Sequence, residues 1–545
     1  MQKLPFAGLF TGLVLLLSSC IQTQEADLVV HNATIYTVDE DFSTYSAMAI
    51  RDGKIIELGA EREILNRYKA KETVDAKKMS VYPGFIDAHS HFIGYARNQG
   101  ELALWGVASE DEMIQMVADF AKKSDRHWVV GRGWDQNLWT EKLWPNKAQL
   151  DSLFPDRPVY LTRVDGHAAL VNAEAMRLAG IDAGTKIPGG SLLLDDSDGP
   201  TGILIDRVKD RVKDIIPPIG GSLFFNLVRE AEANCFAAGL TGVTDAGITV
   251  QEAMLIDSLQ KAGAMHLKVN AFLKPDSVSL KFMQNGPYTT DQLTVRSVKL
   301  YGDGALGSRG ALLKQPYTDD PSNTGLALMT DSSLAFWATA CLEYGYQLCT
   351  HAIGDSANAW ILNRYAGFLK EMNDHRWRIE HAQVISPEDR YYFRNFGIIP
   401  SVQPVHGTSD GAWAEERLGP ERITHAYAYE SLRNTLGILP LGTDFPVEAI
   451  SPIDNFYAAV FRKKISDPDG SRFLPDEALS RENALRGMTI WAALAAFEEA
   501  QKGSLEPGKA ADFVILDRDL IKAPETEVAK VKVVATYVSG AQMTD

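Results

Sequence analysis

Cysteine is scarce: four in 545 residues, at positions 20, 235, 341 and 349, with no Cys-x-x-Cys pair among them. That spacing excludes a thiolate zinc knuckle and a thioredoxin-like redox motif. The three that follow Cys20 are an odd number, which argues against a disulfide framework, and they read as small buried apolar residues. Basic clusters are missing too. With 54 lysines and arginines against 71 acidic residues, the formal charge is −17. Nucleic acid is therefore excluded as a partner, because phosphates need a basic stripe. No internal repeat or low-complexity tract occurs, and no Gly-x-Gly-x-x-Gly follows the early strand candidates, so neither a solenoid nor a dinucleotide-binding fold is indicated.

Long apolar runs are also absent, apart from one. "MQKLPFAGLFTGLVLLLSSC" has a short basic start, about a dozen apolar residues and then small ones, the anatomy of a signal peptide over 1–20. "LSSC" resembles a bacterial lipobox ending at Cys20. The expectation is a lipidated Cys20, a cell-envelope location and membrane contact only through that anchor. A plainly cleaved signal with an incidental cysteine is the alternative.

What remains divides by rhythm. Residues 27–82 and 503–545 hold short strand-like pieces, with a hairpin signal at "RDGK" (51–54), and suggest one small β domain built from both termini. Over 83–97 and 236–502, strand candidates alternate with amphipathic helix candidates. "GFIDAHSHF" is followed by "GLTGVTDAG", "LKVNAFL", "SVKLYGD", "YQLCTHAIGD", "WRIEHAQV", "GIIPSVQP" and "ILPLGTDFP". Eight such units predict a (β/α)8 barrel. Helix starts are marked by Thr249 with Glu252, by Ser109 with Glu112, and by Ser386-Pro387. Residues 98–235 are too many for one βα connection and read as an insertion over the barrel mouth. The expected class is thus α/β: a TIM-like barrel, a small β-sandwich domain and a large insertion after the first barrel strand.

Chemistry-bearing residues gather at strand ends. His89 and His91 stand two apart in "DAHSHF", so both rings leave one face of a strand, with Asp87 one step deeper. His351 ends "QLCTH", His381 ends "RIEH" and Asp444 ends "LGTD". One histidine alone means little. Several imidazoles and a carboxylate at the ends of parallel strands suit zinc and its first-row neighbours. Lys299, inside "SVKLYGD", is a charge in an otherwise buried strand. An ammonium has no acceptor and cannot bind a cation. Burial lowers its pKa, and the neutral amine can add CO2 to give a carbamate able to bridge two metals. A snorkelling lysine, a pair with Asp303 and a Schiff-base lysine are the competing readings.

These segments resemble the amidohydrolase superfamily, and within it the amidohydrolase-3 group of YtcJ-like proteins related to N-substituted formamide deformylases. "PGFIDAHSHF", "VKLYGDGALGSR", "THAIGD", "EHAQ" and "GTDFP" match the ligand motifs, and "GSLEPGKAADFVILD" the return to the β domain. "GRGWDQNLW", "RVDGHAALVN" and "SVQPVHGTSD" resemble the group's additional motifs. The resemblance implies one or two divalent ions, zinc foremost. His89, His91 and Asp444 would hold one, His351 and His381 a second, and a carboxylated Lys299 would bridge them. A single-metal variant, with His381 acting on substrate, stays open.

The implied activity is hydrolysis of a non-peptide C–N bond, in an amide or N-substituted formamide, by hydroxide generated at the metal. Asp444 would be the catalytic proton carrier. Deamination and cyclic-imide hydrolysis are alternatives, and so is a tethered binding protein without catalysis. Expected substrate contacts are His167 as a donor, Trp134 and Asp135 as pocket lining, Arg309 toward an anionic group, and Gln403 and His406. His167 could instead cap a turn after Asp165-Gly166, and Arg309 could pair with Asp303. The partner is a small molecule, and homo-oligomerisation is left open.

Overall fold

The computed structural model describes residues 23–544 apart from Asp125 and Pro218. The leader at 1–20 and Cys20 lie outside the described residues. Among the described residues no helix is long and apolar enough to cross a membrane.

Seven parallel strands form the central sheet: β1 (Phe85–Ser90), β2 (Leu240–Ile248), β3 (Lys268–Leu273), β4 (Leu293–Tyr301), β5 (Gln347–Ala352), β6 (Arg378–His381) and β7 (Ile399–Ser401). They neighbour one another in sequence order, the arrangement of a TIM-like barrel. The eighth place is filled differently from the expectation. Residues 440–444 make only an isolated parallel bridge, Val402 to Leu441. Backbone hydrogen bonds then close the ring: Ala88 N to Leu441 O at 3.1 Å and Asp444 N to His89 O at 2.8 Å. Gly442 permits this approach, since a Cβ there would lie 2.5 Å from His89 N. The barrel is thus nearly closed, with its last segment held by side chains as much as by a ladder. Asp87 supplies the main one, accepting from Thr443 N and from Thr443 Oγ1 (2.6 Å).

The terminal pieces form two sheets face to face. Residues 24–75 supply a four-stranded one, and 34–45, 80–83 and 513–542 a six-stranded one. Leu28, Val30 and Ile50 of the first pack on Val81, Phe513 and Ile515 of the second. The "RDGK" turn joins paired strands Ala47–Arg51 and Lys54–Gly59, with Asp52 and Gly53 both at positive φ as a tight hairpin turn requires.

The insertion carries its own six-stranded sheet, from Leu102–Ala103 to Pro200–Asp206. One face packs Val129, Leu161 and Ile203 under helix Glu110–Lys123, the other packs Val130, Tyr160 and Leu204 under Val208 and Val212. Its expected end at 235 is too late. Helix Gly221–Ala237 packs Leu227, Val228 and Ala231 into the barrel's core rather than the insertion's.

Local signals hold unevenly. Thr249 and Glu252 form a full capping box, and Ser109 accepts from Glu112 N. Ser386 makes no cap; its hydroxyl accepts from Lys314 Nζ instead. Cys235, Cys341 and Cys349 are buried free thiols.

Candidate metal centre

Each candidate ligand stands where a barrel strand ends, the end at which βα loops build sites in this fold. His89 closes β1, and His91 follows it into helix Phe92–Asn98. Their Nε2 atoms lie 3.6 and 3.2 Å from Asp444 Oδ1. Ligand atoms of these three residues lie within 4.8 Å of one another, and so do those of His381, His406 and Asp444. The His381 ring is 4.9 Å from that of His89 and 4.5 Å from that of His351. Lys299 Nζ, fully enclosed, is 3.1 Å from His89 Nε2 and sits over the Tyr301 ring. The structure therefore gathers His89, His91, Lys299, His351, His381 and Asp444 in one place.

The residues behind them set their chemistry. Glu380 Oε2 lies 2.5 Å from His89 Nδ1. A carboxylate there takes the Nδ1 proton, so the Nε2 lone pair faces the centre. Burial would push Glu380 up, but Arg378 and His89 outweigh it and hold the carboxyl well below the usual range. Gln403 Oε1 lies 2.8 Å from His381 Nδ1 and orients that ring the same way. Gln403 is thus a positioning residue behind His381, not a substrate contact. Burial pushes His351 and His381 well below the ordinary histidine range, for His381 against the opposing pull of Asp444, so both are neutral. Burial also lowers Lys299 from the ordinary lysine value.

Asp444, at φ +60°, is held in the left-handed region by its backbone bond to His89. Burial raises its pKa, but His406 and His91 more than reverse that, and it stays ionised. Its Oδ1 is buried and has no well-formed hydrogen bond. Two imidazole lone pairs converge on an ionised, unsatisfied oxygen, a donor set that fits a divalent ion of the zinc type. His406 is part of this layer: Nε2 is 3.3 Å from Asp444 and Nδ1 3.0 Å from Glu448. Those two carboxylates outweigh burial and raise His406 to about 10.

The insertion roofs a cavity of about 1340 Å3 that takes in the centre and Asp135, His167 and Arg309. His167 reaches in from the roof, its ring 5.7 Å from that of His351. Its Nδ1 is 2.8 Å from Asp206. Burial would lower its pKa, yet the Asp206 carboxylate prevails and raises it. Asp165 accepts the backbone N–H of His167, so the turn exists, but the ring itself faces the cavity.

One further expected contact is corrected, and one alternative is ruled out. Trp134 does not line the cavity: it is fully buried in the insertion core against Trp139 and Trp144, with Nε1 donating to Leu161 O. Arg309 does not pair with Asp303; it binds Asp319 through Nε (3.2 Å) and Nη2 (2.8 Å). Asp303 accepts the N–H groups of Leu312, Ile353 and Gly354 and braces the loop after β5. Asp135 lines the cavity but is held by Arg163. Glu380, Asp206 and Glu448 were not anticipated. Only "RIEH", with Arg378 and Glu380 two apart on a buried strand, carried a signal.

A barrel of this kind with imidazoles and a carboxylate at its strand ends defines the amidohydrolases, and the chain belongs to the amidohydrolase family, whose model matches residues 72–543. It is 35% identical to the Arabidopsis thaliana protein LONG AFTER FAR-RED 3, over 95% of this chain and 91% of that one. It is 27% identical to an N-substituted formamide deformylase of Arthrobacter pascens, over 95% of this chain and 98% of that one. Among solved structures, an uncharacterized metal-dependent hydrolase from Pyrococcus horikoshii superposes with a TM-score of 0.75. The two are 28% identical, over 91% of this chain and 99% of that one.

Proposed function

We propose that the protein hydrolyses an amide or N-substituted formamide, releasing an amine and a carboxylic acid, in the bacterial cell envelope. The observation that carries this reading is an ionised, unsatisfied Asp444 facing the same cavity as His167, whose ring Asp206 holds. His89, His91 and Asp444, with His351 and His381 adjoining, would hold a divalent ion, which would supply Lewis acidity and acidify water. The neutral Lys299 amine would add CO2 with loss of one proton, and the carbamate would give the site an anionic donor that an ammonium lacks.

The chain's own groups move the protons. Asp444 orients the attacking water and accepts its proton as the new C–O bond forms. His167, aimed by Asp206 and with its pKa raised by that carboxylate, donates toward the carbonyl oxygen as charge develops there. Asp444 then passes its proton to the amine nitrogen as the C–N bond breaks. The formamide deformylase relative supports the substrate class, and the leader at 1–20 with Cys20 supports envelope anchoring.

The test is a screen of zinc-loaded protein against N-formyl, N-acyl, cyclic-imide and aminopurine libraries, following amine, carboxylate and ammonia separately. Amine release in step with carboxylate is expected. Ammonia without carboxylate would make the protein a deaminase instead.

A further inference from the structure

One part of the cavity wall, its basic lobe, is built from the insertion and from the chain just after β3. Its walls carry Arg126, Arg132, Lys213 and Lys274. Among the described residues, none of the four has a carboxylate within ion-pair distance. Most other charges of the lobe are taken: Arg97 pairs with Glu252, and Lys209 with Asp210. Asp245 accepts the N–H of Ile93. Among the described residues, Glu101 and Asp214 of this wall carry no ion pair, so the four cations outnumber the free carboxylates there.

Arg132 is the most telling of them. It projects from strand Val129–Trp134, Nη2 donates to Val164 O at 3.0 Å, and Nε is buried with no partner. With Nε enclosed and Nη2 on a carbonyl, the rest of the guanidinium lines the cavity with no carboxylate to neutralise it. Lys213 and Lys274 keep much of their surface accessible although protein surrounds them, because both project into the cavity. Burial, then the nearby charges of Lys209, Arg132 and Lys274, bring Lys213 down to about 8. Arg132 also feels the charge of Asp444, so the lobe adjoins the reacting centre.

We propose that this lobe is a subsite for an anionic substituent, a carboxylate, carried by the substrate beyond its scissile C–N bond. The inference deepens the amide-hydrolase reading and rests on it for the identity of the reacting group. Arg132 offers planar donors suited to two carboxylate oxygens, while Lys213 and Lys274 supply mobile point charges at the rim.

The test uses two matched series on the zinc-loaded full chain: ω-formamido acids of four to eight carbons, and N-alkylformamides of the same lengths. The acids are expected to exceed the neutral series in kcat/KM by at least tenfold, with one preferred chain length. The double variant K213M/K274M should cut that ratio at least tenfold, and high salt should erode it. Lys274→Gln alone serves if the double variant does not fold. A ratio near one, or a ratio untouched by both variants, overturns the proposal. Should neither series turn over, calorimetric binding of hexanoate against hexanamide separates the two readings. Hexanoate preference lost in the variants keeps the subsite and discards the amide reaction. A preference that survives them places the carboxylate at the metal ligands and overturns the subsite.

Discussion

Glu380 grips His89 from behind, Oε2 to Nδ1 at 2.5 Å, while Arg378 Nε lies 2.6 Å from the other oxygen of the same carboxylate. The ligand is thereby aimed by a pair two residues apart on a different strand. Glu380→Gln should weaken zinc affinity by about 10–100-fold, the usual cost of losing such a partner. Metal content at fixed free zinc measures it, and chelation should abolish activity in both proteins. Undiminished affinity in the variant would remove Glu380 from this role.

Lys299 makes a different prediction. Intact-mass analysis of the metal-loaded protein under native conditions should show one added CO2. Lys299→Ala should lose nearly all activity and regain part of it with short carboxylic acids. A free amine at full metal occupancy would sink the carbamate.

The pH profile should carry the mark of His167. Asp206 raises its pKa against the opposing effect of burial. The protonated ring is lost on the alkaline side, so in Asp206→Asn the alkaline limb of kcat/KM should move to lower pH. For stability the same sign applies. A raised folded-state pKa contributes fully below the unfolded value of about 6.5 and is lost as pH climbs through the folded one. An unmoved alkaline limb would detach His167 from the chemistry.

Lys268 and Asp512 test the joint between barrel and sandwich. They meet at 2.6 Å with both side chains buried, and Asp512 Oδ1 also accepts from Ser539 N. Asp512→Ala strands a buried ammonium and should lower unfolding free energy by about 3–5 kcal/mol. Replacing both with apolar residues should restore much of it. Denaturant titration of the four proteins decides; a loss below about 1 kcal/mol would mean the pair is solvated.

The barrel segments were legible because most run from apolar residues into a chemically distinctive one, as "YQLCTHAIGD" and "ILPLGTDFP" do. The ligands were legible for the same reason. What escaped was whatever depends on two distant strands meeting. Glu380 acquires meaning only beside His89, 291 residues away, and Asp206 only beside His167 across a sheet. Trp134 misled because an aromatic next to a cavity-lining aspartate gives no hint of which way its strand turns. Helix 221–237 was assigned to the insertion because its packing on the barrel leaves no mark in its own composition.

Asp87 and Thr443 close the barrel across 356 positions of chain. During synthesis, then, β1 emerges early and waits for most of the polypeptide before its last neighbour exists. The sandwich waits longer, since the strand at 80–83 pairs with 513–516. Such sequence-distant contacts slow folding and leave strand edges open meanwhile. A chain truncated before residue 440 would be left with an open sheet edge at β1 and a centre without Asp444, a substrate for proteases and chaperones.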